Sequence, residues 1–283
     1  MTDTAGIPTI TAVRDAAAID PFSGGQKTSG IRFLYRLNPL AKFGAVIPAM
    51  LLLTFSRDLA TPLAFLALSY VLLLVGARWS AITVTVLLVA FPLAVVVIGL
   101  GFSLWVDPAQ VAQTPALLAV GQWTLHVGAL PIGFATALRL AAIAALALIG
   151  GLTTTGPDLV RSSVQQLRVP YRVGYAALAS YRFVPRFGRE LAAIRAAHRV
   201  RGAHGGRGPI ARMARAGSYA VPLLASAIRH AERVALAMDS RAFGAYATRT
   251  ERYVMPFRAR DVVFIVIFLA ITAAWAVLFT FAA

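Results

Sequence analysis

The stretch AITVTVLLVAFPLAVVVIGLGFSLW contains no charged residue. An amphipathic helix of a soluble protein needs a polar face, and this segment has none. Read as part of a span over residues 80–104, it is long enough for a bilayer core, which takes about 20 helical residues. Its Pro92 is tolerable in a membrane bundle, where neighbouring helices can satisfy the freed carbonyl. Four further apolar stretches fall at 40–56, 59–77, 129–151 and 261–282. The first two are short and joined by SRDLATP, so a tight hairpin or a partly re-entrant pair is open, and with it a count of four or six. Composition agrees: 59% of the residues are hydrophobic and 13% charged, with mean hydropathy +0.73, against about 45–50% and 25% in soluble domains. The expected fold is an all-α polytopic membrane bundle of about five spans with long cytoplasmic helices.

Charge distribution orients the spans. Residues 152–260 hold nineteen arginines against five acids, a balance of +14, whereas the loop 105–126 has no Lys or Arg. The positive-inside rule places the N-terminus and the long segment in the cytoplasm; Arg78, between the second and third spans, agrees. The expected organisation is a disordered cytoplasmic tail over 1–36, four spans over 37–151, a cytoplasmic helical domain over 152–260 and a last span over 261–283. The N-terminal twenty residues lack a continuous apolar core before a small-residue cleavage site, so no signal peptide is expected. The locale is a cell membrane crossed several times.

Several chemistries lack the residues they require. There is no cysteine, and the four histidines are scattered, which removes thiolate chemistry and leaves little for a metal centre. His198 and His204 do not stack on one helical turn, so no metal site is expected there. The stretch DPFSGGQKTSG, residues 20–30, suggests a nucleotide loop. A phosphate loop requires glycine at the positions held by Pro21 and Gln26 before Lys27-Thr28, and the pattern fails. An intramembrane enzyme would need paired carboxylates or a metalloprotease motif within the spans. No acid is expected inside any span, no catalytic residue stands out and no cofactor is called for. Trp79, Trp105, Trp123 and Trp275 read as interface or packing residues.

The cytoplasmic segment opens with LTTTGPDLVRSSVQQLRVP, where Thr155 and Asp158 have capping-box spacing and Pro157 sits in the first turn. The helix should stop before Val169-Pro170. A second helix follows from Tyr171, with a kink expected near Pro185, and breaks in GAHGGRGP. A third follows, with Pro222 bending it or starting another. Leu191, Ile194 and His198 recur at helical spacing, as do Ala231, Ala235, Met238 and Ala242. Two arginines stand near helix ends: Arg201 in AAHRVRGAH and Arg241 in ALAMDSRAFGAY. A last-turn arginine is favoured by the helix dipole, and a glycine after it can take the left-handed cap. Each tip then offers a guanidinium that can fork onto a carboxylate in a partner's groove.

With these motifs the chain resembles the transmembrane T component of energy-coupling factor (ECF) transporters, the vitamin and metal-ion importers of prokaryotes. The resemblance runs through LNPLAKF, TTTGPDLV, LRVPYRVGYAALASYRFVPRF, both arginine motifs and RTERY. It implies that two Ala-Arg-Gly-like motifs dock into grooves on two ABC ATPases, separate or fused. Val200-Arg201-Gly202 matches the first, with Val for Ala. Ser240-Arg241-Ala242 matches the second, with Ser for Ala and Ala for Gly, followed by Phe243-Gly244. Ala242 adds a methyl where the family allows close backbone approach. The resemblance further implies that partner ATPases hydrolyse ATP, that moving the arginine-tipped helices drives release by a substrate-specific S component, and that no nucleic acid is involved.

Arg139 lies about a dozen residues inside the fourth span, roughly 18–20 Å deep at 1.5 Å per residue. A charge at that depth is costly and marks a function or a brace, here an S-component or bundle contact. The alternative reading is a self-contained polytopic secondary transporter, for which midplane ionisable groups are expected.

Overall fold

The computed structural model describes residues 33–56, 58–77, 81–107, 111, 113–120, 123–202, 208–247, 250–251 and 253–282. The tail holding DPFSGGQKTSG, together with Arg78, Trp79 and His204, lies outside the described residues. The chain forms two compact units, one of residues 1–159 with 255–283 and the other of residues 160–254.

The first unit is the apolar bundle. After a short 3-10 turn, Phe33–Arg36, come α1 (Pro39–Phe55) and α2 (Ala60–Gly76). Each has 17 residues, about 25 Å of helix, a little short of the ~30 Å hydrocarbon core. They do not form a tight hairpin; both pack on the later helix α5. The long uncharged stretch divides into α3 (Ala81–Thr85), a π-helical turn at Val86–Ala90 and α4 (Phe91–Leu104). The cause is Pro92, which has no N–H and crowds the preceding turn. The chain widens there so that the Phe91 N–H reaches Val86 O, a local adjustment that keeps the span continuous through the proline.

The loop after α4 contains a short antiparallel hairpin, β1 (Ala116–Val120) with β2 (Trp123–His126), which hydropathy alone did not separate from coil. Then α5 (Ala129–Thr153) runs through the middle of the unit against α1, α2 and α4. The α4–α5 contact is close because of Gly133: a Cβ there would collide with the Ser103 side chain and the Gly99 carbonyl. Small residues let membrane helices approach in this way. The last helix, α9 (Ala259–Ala282), lies against α1. Leu53, Phe65, Leu73, Leu87, Leu146, Ile149 and Phe268 form the buried core.

Polar contacts show which helix ends share a side. At one end Lys42 donates to Thr153 O (2.7 Å) and Thr154 Oγ1 (3.2 Å), and the Asn38 N–H donates to Asp261 Oδ1 (2.8 Å). At the opposite end Trp275 Nε1 donates to Thr61 Oγ1 at 3.0 Å. These pairings gather the starts of α1 and α9 with the end of α5 at one end of the unit, and the start of α2 with the later part of α9 at the other. Three passes, Thr83–Leu104, Ala129–Thr153 and Ala259–Leu278, meet the length and hydropathy of a membrane span, and α1 and α2 are shorter apolar helices.

One sequence expectation is corrected here. An acid does lie within the last span: Asp261, in the first turn of α9, is fully buried. Burial is possible because its two oxygens accept the Asn38 and Arg258 backbone N–H groups, at 2.8 and 2.7 Å. It thereby caps two helix starts at once.

Candidate functional site: two arginine-tipped helix ends

The second unit holds most of α6 (Gly156–Gln166) and all of α7 (Tyr171–Val200) and α8 (Pro209–Asp239). The start of α6 is built as its sequence indicates: the Asp158 N–H donates to Thr155 Oγ1 (3.3 Å), and that hydroxyl donates to Asp158 Oδ2 (2.7 Å). The helix stops at Gln166, and Arg168 takes φ +56° ahead of Pro170. Both long helices run unbroken through their internal prolines, Pro185 in α7 and Pro222 in α8. The alternative of a new helix starting at Pro222 is thereby set aside.

The helices α7 and α8 pair antiparallel, and the contacts give the register. Phe183 stacks on His230 with ring centroids 4.4 Å apart, Glu190 accepts from Ser226 at 2.8 Å, and His198 meets Tyr219 edge-on at 5.2 Å. The Arg195 guanidinium also lies 5.9 Å from the Tyr219 ring centre. His198 is therefore occupied in helix pairing, and among the described residues no group of three His, Cys or acidic side chains is placed to hold a metal.

Arg201 is the C-cap of α7. Its N–H donates to Ala197 O (3.1 Å), and Gly202 follows at φ +68° with its N–H on Arg199 O (3.1 Å). Val200 is 89% exposed, and among the described residues no atom lies within 4 Å of the place a Cβ on Gly202 would take. At the other motif Ser240 is the C-cap assigned to α8, and Arg241 and Ala242 continue the turn. Ala242, at φ +54°, donates its N–H to Asp239 O (2.9 Å), and Phe243 donates to Met238 O (3.0 Å). That pair of bonds is a Schellman ending with alanine in the left-handed position.

Both arginines thus occupy the residue just before a left-handed one, at the negative end of a helix, and both are exposed. Chemically each tip presents a planar donor fork to solvent, suited to a carboxylate or a carbonyl-rich groove.

The tips are held differently. Phe243 sits edge-on to Tyr171 and Tyr175, with centroids 5.7 and 6.3 Å away. Tyr171 Oη donates to Tyr246 O at 2.6 Å, the Arg172 guanidinium donates to Gly244 O, and Tyr175 Oη donates to Glu251 Oε2 at 2.6 Å. Gln165 Nε2 donates to Tyr253 O (2.8 Å), and Arg161 lies over the Tyr253 ring. Reading motifs one at a time missed Tyr171, Arg172 and Tyr175. The available signal was the aromatic spacing Tyr171-x-x-x-Tyr175, which puts both rings on one face of the first turn of α7.

In the first unit Arg139 is partly buried in mid-span, and its Nε has no hydrogen-bond partner among the described residues. Sequence reading passed over Lys42, which is 1% exposed and near Asp158 and Asp261. A lysine in an otherwise apolar helix was the signal.

Residues 30–252 match the family described as cobalt transport protein, CbiQ. The chain is 26% identical over 259 residues to the energy-coupling factor transporter transmembrane protein EcfT of Bacillus selenitireducens, covering 88% of this chain and 94% of that one. It is 25% identical over 169 residues to the EcfT of Bacillus subtilis, covering 57% of this chain and 64% of that one. It is also similar, at 27% identity over 240 residues, to a Bifidobacterium longum protein bearing the name ABC transporter ATP-binding protein BL0043. That match takes in 82% of this chain and 30% of the relative.

Proposed function

Because this chain belongs to the cobalt transport protein (CbiQ) family and is a T component of the ECF type, we propose that it couples ATP hydrolysis by partner ATPases to micronutrient uptake through an S component. The observation that carries the proposal is the matched pair of free arginine tips, Arg201 and Arg241, at opposite ends of one antiparallel helix pair. The length of α7, 30 residues, sets them roughly 45 Å apart, too far for one small docking groove and suited to two ATPase subunits or two halves of a fused one. Val200, Gly202, Ser240 and Ala242 shape the two tips. The chain itself performs no catalysis in this reading.

Met213, Val221, Leu224 and Ile228 are exposed along α8 at gaps of eight, three and four residues, which share one helical face. That apolar stripe supports a membrane-associated partner, which the S component supplies. The nineteen arginines of 152–260 support a cytoplasmic placement of both tips and of the N-terminus. Arg139, whose Nε has no partner among the described residues, braces the bundle or meets the S component. The substrate, a vitamin or a metal ion such as cobalt, is chosen by the S component.

The test is co-purification of a tagged chain from native membranes in mild detergent, beside an Arg201→Glu/Arg241→Glu double variant. ABC ATPases and a small membrane protein accompany the unaltered chain, and the ATPases are lost from the variant. An unaltered chain that comes alone, under conditions that preserve other complexes, moves the secondary-transporter reading ahead.

A further inference from the structure

The tip at the end of α8 is attached to the start of α7, the helix whose end carries the other tip. We propose that Phe243 is a positioning residue for Arg241, pinning it to the first turns of α7 so that this one helix carries both tips and moves them as a single piece. The inference rests on the coupling reading above and specifies how it works.

Phe243 does two jobs within two residues of Arg241. Its backbone N–H closes the end of α8 on Met238 O, which fixes the turn that aims Arg241. Its ring is held edge-on by Tyr171 and Tyr175, a geometry that aromatic quadrupoles favour. The same stretch of α7 adds the Tyr171 bond to Tyr246 O and the Arg172 bond to Gly244 O, so the chain just after the ring is held to α7 as well. Sliding of α7 along α8 is opposed farther along by the Phe183–His230, Glu190–Ser226 and His198–Tyr219 contacts. Motion at one ATPase is then transmitted as tilt or rotation of the helix pair, with the separation of the tips constant.

The chain has no cysteine, so spin labels can be placed at Ala197→Cys and Ala245→Cys, two exposed positions outside the arginine motifs. In the purified full-length chain the label distance is narrow and on the order of 40 Å. It stays so when the ATPases and nucleotide are added. Phe243→Ala broadens it and Phe243→Tyr keeps it narrow. In the assembled transporter Phe243→Ala retains the ATPases through Arg201 while uptake falls about tenfold, and Phe243→Tyr restores uptake. A distance in the unpinned variant no broader than in the parent overturns the proposal. So does a shift of more than ~5 Å, one helical turn, with nucleotide in the parent. The distance is read on the chain alone, so failure to find ATPase partners counts against the coupling reading and leaves the pin intact.

Discussion

Gly202 and Ala242 are the left-handed residues of two matching helix ends, at φ +68° and +54°, each directly after an exposed arginine. The second motif therefore departs from glycine in a backbone region that disfavours a Cβ by roughly 1–2 kcal/mol. The hydrogen bonds from Ala242 and Phe243 to Asp239 O and Met238 O, with the ring clamp on Phe243, hold that conformation.

Exchanging the two residue types should have opposite signs. Ala242→Gly relieves the left-handed strain and restores about 0.4–1 kcal/mol of unfolded-chain entropy, so the net is a gain of about 0.5 kcal/mol. Gly202→Ala loses a similar amount. Amide hydrogen exchange at residues 242 and 243 slows in the first variant; faster exchange there would mean that the methyl makes a compensating contact.

The two arginines act through geometry as well as charge. Replacement by lysine keeps the charge and removes the planar fork. A charge-assisted hydrogen bond contributes about 1.5–3 kcal/mol, so Arg201→Lys or Arg241→Lys should weaken ATPase retention at least about tenfold. Lysine variants that retain the ATPases fully, with binding that collapses in moderate salt, would point instead to a general basic surface.

Lys42 and Asp261 hold three helix ends together in the first unit. Lys42→Met leaves the buried Thr153 carbonyl without its donor, a loss of about 1–3 kcal/mol for a stranded acceptor. Asp261→Ala strands the Asn38 and Arg258 N–H groups, at about 1–3 kcal/mol each. Thermal unfolding in detergent should show both variants well below the parent; equal stability to the parent would show that water replaces these contacts.

Arg139→Leu separates the two roles open to that residue. If Arg139 braces the bundle, the variant melts lower and keeps its partners. If it meets the S component, melting is unchanged while the small membrane partner is lost and uptake falls. Unchanged melting, partners and uptake together would remove both roles.

Much of the fold was legible because local pattern decides it. The uncharged run through residues 81–104 reads as a membrane element, and Thr155 and Asp158 announce a helix start. The motif residues Arg201 and Arg241 were legible for the same reason, since a cap is read within a few residues of chain. What tertiary structure alone decided are pairings between residues far apart in sequence: Lys42 with Thr153, Asn38 with Asp261, Phe243 with Tyr171 and Tyr175. Nothing in the local spacing around Asp261 says that its carboxylate will cap a helix that begins more than two hundred residues earlier. Periodicity and capping chemistry act over a few residues and determine the elements. Burial of a charge, and the clamping of a ring, depend on which distant surfaces close over them, and only the folded chain brings those surfaces together.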